Sequence, residues 1–188
     1  MTPAAGNRSD RALDAEFRSI VRDFAPQLYR QAYRMLGDSE EATEAVQEVL
    51  LNVHRSLADF RGDCAVATWI YRIALNTFFT YRRRQRNQPL PLIEPEDALT
   101  LVDEDADLEE EYDRKETRER LARCIAKLSP RESAAITLFY MDGFGYKEIA
   151  SVMGTSLSSV GLLIHRGREH LHVLLTGKKE RAGKCIAR

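Results

Sequence analysis

Apolar residues recur at intervals of three and four along most of the chain, which is the spacing of one face of an α-helix. The clearest run is Ala42, Val46, Val49, Val53 and Leu57. Alternation of apolar and polar positions, the pattern of a half-buried strand, is nearly absent. The pattern therefore predicts an all-α protein.

Residues that start and stop helices divide the first sixty positions. A first helix is expected over 14–24, and a second begins at Pro26, because proline suits the first turn of a helix. Gly37 is the expected stop of that second helix, since glycine tolerates the left-handed conformation of a helix end. Ser39 is the predicted N-cap of the third helix.

Two further breaks are predicted by composition. The loop 59–63 contains glycine and two aspartates, and the segment 87–101 contains three prolines and has no clear period. Between them a long helix is expected from about Val66 to Arg84. The segment after this helix is predicted to be a linker.

The second half of the chain has its own start signals. Helix is expected to resume near Glu109. Ser129-Pro130-Arg131-Glu132 has the form of a capping box with proline at the first helical position, and so predicts another helix start. That helix is expected to end near Gly143.

The stretch 146–171 has the pattern of a helix-turn-helix. Ala150 is small enough for two helices to cross there, and Gly154, four residues later, suits a turn that requires a positive φ. Val160 is expected in the core, and Ser156 as the cap of the second helix. The motif predicts a DNA-binding unit; an ordinary helical hairpin in an all-α core is the alternative.

Charge is unevenly distributed along the chain. The net charge is −1, but residues 87–113 hold eleven acidic residues and neither Lys nor Arg, so the rest of the chain carries +10. Two basic parts joined by an acidic segment favour a polyanionic partner such as nucleic acid. The alternative is a solvated, disordered acidic linker without a partner.

Composition also bears on location and cofactors. No run of about 18 apolar residues predicts a membrane-spanning helix, and the first residues lack the apolar region of a secretory signal. Cys64, Cys124 and Cys185 are far apart, which favours a reduced, cytoplasmic chain. No cofactor or metal is predicted, because Cys185 and the histidines 165, 170 and 172 match no standard zinc spacing.

The helix over 66–84 carries a stripe suited to single-stranded DNA. Arginine, asparagine and aromatic residues recur at intervals of three and four, and bases stack on aromatic rings while cations bind phosphates. The basic cluster 82–86 adds charge at the end of this helix. Core packing is the favoured interpretation for Trp69 and Ile73. The stripe consists of Trp69, Arg72, Asn76, Phe79 and Arg83.

Two sets of motifs resemble one protein family. "LSPRE" at 128–132, "YKEIA" at 146–150 and "RGREHL" at 166–171 resemble the C-terminal domain of extracytoplasmic-function (ECF) sigma factors of bacterial RNA polymerase. "GDSEEATEAVQEVLLNVHRSLADFRGD", followed by "ATWIYRIALN", resembles the promoter-melting domain of the same family. Both sets occur in the family's order.

The resemblance implies two small helical domains joined by an acidic flexible linker. The division expected is a disordered N-terminus at 1–11, a domain for core docking and −10 recognition at 12–86 and a linker at 87–113. A helix-turn-helix domain for −35 recognition at 114–176 and a basic tail at 177–188 complete it.

The resemblance also implies binding residues. It places core polymerase docking, on the β′ and β subunits, on the polar face of the third helix, and capture of the separated −10 strand on the next helix and the loop before it. The docking residues would be Glu44, Gln47, Glu48, Leu51 and Arg55. The −10 residues would be Phe60, Arg61, Asp63, Arg72, Asn76, Phe79, Thr80 and Arg83.

The reading helix departs from the family pattern. A cation is usual just after the core valine and another two residues later, but this chain has Gly161 and Leu163 there. Leu162 and Leu163 add surplus apolar surface, which would face a partner protein, for which an anti-sigma factor is expected, or would complete the local core. The −35 contacts then fall to Thr155, Ser156, Ser158, Ser159, His165, Arg166 and Arg168.

The function predicted is that of a sigma factor, which binds core polymerase and promoter DNA, both duplex and single-stranded, and assists strand opening. No P-loop, nucleophile elbow or paired-carboxylate motif predicts an enzyme. The alternatives are a helix-turn-helix regulator that acts without polymerase and a pure interaction protein that sequesters a partner.

Overall fold

The computed structural model describes residues 10–87 and 108–177, and within these ranges the chain is helical, as the apolar spacing predicts. Segments 1–9, 88–107 and 178–188 lie outside the described residues, as do most of the predicted acidic linker and the basic tail. The elements are α1 (Asp10–Leu36), α2 (Ser39–Leu57), α3 (Val66–Asn87), α4 (Leu108–Lys127), α5 (Pro130–Ile136), a π-helical turn (Thr137–Met141), α6 (Tyr146–Met153) and α7 (Leu157–Thr176).

The predicted break before Pro26 is wrong, because α1 runs without interruption through this proline. Proline removes one backbone hydrogen bond from a helix and crowds the carbonyl of the fourth residue before it, Arg22 in this helix. The apolar face nevertheless continues across the site: Ile20 and Leu28 are both buried, and Phe24 between them packs against the core. Tertiary burial of that face outweighs the local penalty.

The predicted cap of α2 is wrong by one residue. Asp38, not Ser39, has the extended backbone of an N-cap, and its carboxylate accepts a hydrogen bond from the backbone N–H of Glu41 at 2.8 Å. Aspartate and serine are about equally good caps, so the sequence alone does not choose between adjacent candidates. Ser39 is instead the first helical residue.

The first three helices form the N-terminal half of the protein. α2 packs against α1 and α3 through the predicted apolar run, every member of which is buried. From α3, Ile70, Ala74 and Phe78 enter the same core with no exposed surface. This arrangement leaves the polar faces of α2 and α3 directed away from the core.

The C-terminal half contains the helix-turn-helix predicted from the sequence. α6 ends at Gly154, whose φ of +60° is the left-handed conformation that the turn requires. Ser156 caps α7 by accepting a hydrogen bond from the N–H of Ser159. The capping box of α5 is also confirmed, since Ser129 and Glu132 satisfy each other's backbone N–H.

The two halves pack directly on each other, which the sequence pattern does not predict. α1 contacts α4 and α3 contacts α6, and buried residues of both halves form one continuous apolar cluster. At one edge, the ring of Tyr71 in α3 meets the ring of Phe144 edge-on, with centroids 4.8 Å apart. While the halves are packed in this way, the binding surfaces of the two halves are held in a fixed relation to each other.

Within the described ranges, none of the helices combines the length and the hydropathy that a membrane crossing requires.

Candidate nucleic-acid and polymerase interfaces

A cavity of about 370 Å³ opens where α2 ends and α3 begins. Its wall combines an aromatic pair with groups that can form hydrogen bonds. The ring centroids of Phe60 and Trp69 lie 4.7 Å apart, and the two ring planes are inclined by 31°. Such a cavity offers a planar ring together with polar groups, which is the chemistry that accepts an unstacked base. Its lining residues are Ser56, Asp59, Phe60, Arg61, Asp63, Cys64, Trp69 and Arg72.

The cavity brings together four of the predicted −10 residues, namely Phe60, Arg61, Asp63 and Arg72. Sequence reasoning assigned no role to Ser56, Asp59 and Cys64. Ser56 belongs to the end of α2 and Asp59 to the turn after it. The sequence predicts that a turn occurs there, but it does not predict which side chains of the turn face the cavity. The expectation that Trp69 packs in the core is met only in part, since it is half-buried and also lines the cavity.

The remaining −10 residues continue from the cavity along α3. Asn76 and Arg83 are exposed, whereas Phe79 and Thr80 are half-buried. The hydroxyl of Thr80 donates to the carbonyl oxygen of Asn76 at 3.0 Å, and Phe79 packs against the core. The accessible polar groups of the stripe therefore belong to Arg72, Asn76 and Arg83.

The basic end of α3 divides into two sets of side chains. Arg82 donates to the carbonyl oxygens of Met35 and, at 2.7 Å, of Leu128. Gln85 donates to the carbonyl of Leu36 at 3.1 Å and to the carboxylate of Glu41. These contacts satisfy carbonyls that have no partner within their own helix end.

The side chains of Arg82 and Gln85 are therefore engaged in hydrogen bonds within the protein, and only part of the predicted basic cluster is accessible to DNA. Arg83 and Arg84 are both exposed, and the guanidinium of Arg84 lies 5.4 Å from the centroid of the Tyr81 ring. That distance is within the range of a cation–π interaction.

The proposed docking face of α2 is accessible. Glu44, Gln47 and Arg55 are exposed, and Leu51, with 55% of its surface exposed, adds apolar area to this polar face. Glu48 is half-buried beside Tyr81 of α3. Burial, followed by the charge of Glu48 and a hydrogen bond to it, raises the pKa of the Tyr81 hydroxyl.

At the start of α7 the hydroxyl groups bind one another. The Ser156 hydroxyl lies 3.0 Å from that of Ser158 and 2.8 Å from that of Ser159, in addition to capping the helix. Thr155 is half-buried just before them. Contact with phosphate at this end of the helix would therefore have to rearrange hydroxyl hydrogen bonds that already exist, although a helix N-terminus favours an anion.

The other end of the predicted −35 set is more accessible. His165, Arg166 and Arg168 are all exposed on α7. The Nδ1 atom of His165 lies 3.8 Å from a carboxylate oxygen of Glu169 one turn later, so this side chain has an acidic neighbour on its own helix. Arg166 and Arg168 are the main cations of the reading helix.

Leu162 and Leu163 of α7 lie in different surroundings, and only the core alternative, for Leu163, is confirmed. Leu163 packs against the core, whereas Leu162 has 49% of its surface exposed. Gly161 does not face freely outward: a Cβ atom at this position would meet the ring of Tyr146 at 3.7 Å, an ordinary contact distance.

No cluster of three or more His, Cys, Asp or Glu residues suited to a metal ion occurs in the described ranges. Cys185, a member of the alternative zinc set, lies outside them. His170 is instead 3.2 Å from the carboxylate of Glu132. Burial raises the pKa of Glu132, but its hydrogen bonds with Ser129 and His170 outweigh burial and lower it.

Comparison with known proteins agrees with this division into two binding regions. The family model for sigma-70 region 2 matches residues 20–88, and that for sigma-70 region 4 matches residues 118–171. The first match covers α2, α3, the cavity and most of α1. The second covers the second half of α4, α5 and the helix-turn-helix.

Several curated relatives are similar over most of the chain. The RNA polymerase sigma factor YlaC of Bacillus subtilis is 30% identical over 85% of this chain and 96% of its own length. The ECF RNA polymerase sigma-E factor of Escherichia coli is 35% identical over 70% of this chain and 72% of its own. The ECF sigma factor SigE of Mycolicibacterium smegmatis is 31% identical over 86% of this chain, which spans only 62% of that relative.

Two solved structures share the fold. The sigma factor RpoE of Bartonella quintana, in complex with the anti-sigma factor NepR, has a TM-score of 0.65 and 21% identity over 85% of this chain and 96% of its own. CnrH in complex with the cytosolic domain of CnrY has a TM-score of 0.62 and 23% identity over 93% of this chain and 94% of its own.

Proposed function

This chain belongs to the ECF family of RNA polymerase sigma factors, and we propose that it acts as one through two separate DNA-binding surfaces and one polymerase-docking surface. It binds core RNA polymerase and directs promoter-specific initiation of transcription, while the polymerase itself forms the RNA bonds. It works in the cytoplasm, where polymerase and promoter meet. The observation that carries the residue assignments is the cavity at the α2–α3 junction, continuous with the exposed cations of α3.

The cavity and α3 bind the separated strand of the −10 element. An unstacked base enters beside the Phe60–Trp69 pair, and the polar groups of Asp59, Arg61 and Asp63 at the rim select among bases by hydrogen bonding. Arg72 and Arg83 hold the phosphates that follow. Strand opening is favoured because these groups bind the single strand and not the duplex.

The helix-turn-helix binds the duplex of the −35 element. Arg166 and Arg168 supply phosphate contacts, which fix the position of the helix on DNA. The absence of a side chain at Gly161 leaves this helix with fewer cations than is usual in the family. We therefore assign a larger share of promoter affinity to the −10 surface and to polymerase contacts.

Polymerase docks on the face of α2 formed by Glu44, Gln47, Glu48, Leu51 and Arg55. The exposed Leu51 supplies apolar area at the centre of this face, and the surrounding charges give specificity and orientation. A separate partner of the anti-sigma class is proposed for the exposed Leu162 on α7, because the RpoE structure that shares the fold was solved in complex with the anti-sigma factor NepR.

The decisive experiment is transcription by reconstituted holoenzyme from a library of promoter fragments. Transcripts that start at defined sites, only when this chain is added to core polymerase, would support the proposal. A mobility-shift assay with and without core polymerase is the control. Sequence-specific binding without core, together with no transcription, would instead favour a regulator that acts on its own, whereas core binding without transcription would favour a sequestering protein.

A further inference from the structure

A buried carboxyl group lies at the contact between the two halves of the protein. Asp142 follows the π-helical turn, whose wider hydrogen bond joins the N–H of Asp142 to the carbonyl of Thr137 at 3.1 Å. The turn directs the Asp142 carboxyl toward α1, where the side-chain amide of Gln31 donates to Oδ2 at 3.3 Å. These two residues are 111 positions apart in the chain.

The surroundings of Asp142 are short of hydrogen-bond partners. Gln31 is fully buried, and its Oε1 atom has no hydrogen-bond partner among the described residues. The charged and titratable groups facing Asp142 are Arg30 and Arg34 from α1 and Tyr71 from α3. Burial raises the pKa of the Asp142 carboxyl to about 6, although Arg34 and Arg30 act in the opposite direction.

The contact between the two halves also includes a residue of the proposed −10 surface. The Arg72 guanidinium donates to the carbonyl oxygen of Ser151 in α6 at 2.9 Å, although Arg72 also lines the base-sized cavity. Next to it, Phe144, two residues after Asp142, packs against the ring of Tyr71. While the halves are packed together, one cation of the strand-binding stripe is therefore bound to the helix-turn-helix.

We propose that this packing is a self-inhibited arrangement of the sigma factor, and that a proton on Asp142 stabilises it. The proposal rests on the function assigned above and concerns the regulation of the same DNA-binding surface. Opening separates α3 from α6, frees Arg72 for DNA and returns Asp142 to water.

The direction of the pH effect follows from the two states of Asp142. An ionised carboxylate loses hydration when the halves close, whereas the neutral acid loses less and can still accept the hydrogen bond from the Gln31 amide. The closed arrangement therefore binds the proton more tightly than the open one, and acid favours closure. Closure is strongest below the ordinary carboxyl pKa and weakens as pH rises through about 6.

The experiment measures the radius of gyration of the full chain by small-angle X-ray scattering between pH 5 and pH 8. Parent, Asp142→Asn and Asp23→Asn are compared; Asp23 is an exposed aspartate of α1 and serves as the matched control. The parent should expand as pH rises, and its closed-to-open ratio should fall about tenfold between pH 5 and pH 8, because the closed-state pKa of Asp142 is about 6. Asp142→Asn, which resembles the neutral acid, should stay compact throughout, and Asp23→Asn should follow the parent.

Affinity for a single-stranded DNA oligonucleotide at pH 8 gives a second readout, because Arg72 is free to bind DNA only in the open fraction. Asp142→Asn should bind about tenfold more weakly than the parent if closure reduces the open fraction to about one tenth. Circular dichroism confirms that both variants are folded.

Three results would overturn the proposal. These are a radius independent of pH in the parent, an unchanged pH dependence in Asp142→Asn, and expansion of Asp142→Asn at every pH. The last would mean that the negative charge holds the halves together through Arg34. Absence of promoter-specific transcription with core polymerase at pH 8 rejects the sigma function separately, since the scattering measurement does not depend on it.

Discussion

A Cβ atom on Gly167 would stand 2.7 Å from Cγ1 of Ile136, closer than real Cβ atoms approach another heavy atom. Gly167 is buried in the middle of α7, where this helix crosses α5. The crossing joins the helix-turn-helix to the rest of the C-terminal half. A glycine that appears in the sequence as one letter of the RGREHL motif is therefore required by close helix packing.

Replacing Gly167 by Ala should destabilise the protein. Its methyl group would force Ile136 or the α5–α7 spacing to shift, at a cost of about 1–3 kcal/mol for overpacking, which exceeds the gain in helix propensity of up to about 1 kcal/mol. Urea unfolding followed by circular dichroism measures the difference. The matched control is Gly161→Ala on the same helix, where the added Cβ meets only an ordinary contact, and it should be neutral or stabilising. Equal stability of the two variants would contradict the packing argument.

Replacing Arg72 and Arg83 by Ala should reduce promoter opening more than formation of the closed promoter complex, because these side chains are proposed to hold the separated strand. Permanganate reactivity of unpaired thymines in the holoenzyme complex reports opening directly. Arg18→Ala, at an exposed arginine of α1 outside the stripe, is the control for loss of one positive charge. If promoter opening by the Arg72→Ala and Arg83→Ala variants equals that of the parent, these arginines do not hold the separated strand.

Changing Gln47 to Ala together with Glu48 to Lys should weaken binding to core polymerase at least tenfold while the fold is retained. The reason is that Gln47 is exposed on the proposed docking face and the second change reverses a charge there. Because Glu48 also interacts with Tyr81, thermal unfolding is measured alongside a pull-down with core. Ala15→Lys, at an exposed site of α1, is the control; an unchanged affinity of the double variant would remove this face from the proposal.

Changing Gly161 to Lys should raise the affinity of the chain for −35 duplex DNA and steepen its salt dependence by about one unit of slope, as expected for one added phosphate contact. The structure leaves room for the side chain, which would start beside the ring of Tyr146. Gly161→Ala improves helix propensity without adding charge and should keep the parent's slope. If lysine weakens binding, the glycine is needed for close approach of the backbone to DNA or to a partner.

The positions of most elements follow from local signals in the sequence. Apolar spacing is a property of neighbours along one helix, so the buried run of α2 could be predicted without knowledge of any other element. The capping box at Ser129 and the left-handed turn at Gly154 are equally local, and the structure confirms both. Two local predictions were wrong. At Pro26, burial of the apolar face of α1 outweighed the helix-breaking tendency of proline, and at Ser39 the adjacent Asp38 is an equally good N-cap.

The sequence also indicated which residue types belong to the binding surfaces. It could not predict which individual side chains are exposed and which contact a neighbouring helix. Arg82 and Arg83 are adjacent and chemically identical, yet Arg82 binds carbonyls from α1 and the end of α4, while Arg83 is exposed. Successive helix residues point about 100° apart, so which one meets a neighbouring helix depends on how α1 and α4 are placed. The same placement decides that Ser56 and Asp59 line the cavity.

By itself, then, the sequence determined the helices, the helix-turn-helix and the family to which this chain is similar, because each is carried by residues close together in the chain. Only the tertiary structure decided that the two halves share one core, that Arg72 reaches α6 and that Asp142 meets Gln31. Those contacts join residues up to 111 positions apart. Their existence depends on packing between helices, which leaves no periodic trace in the order of amino acids.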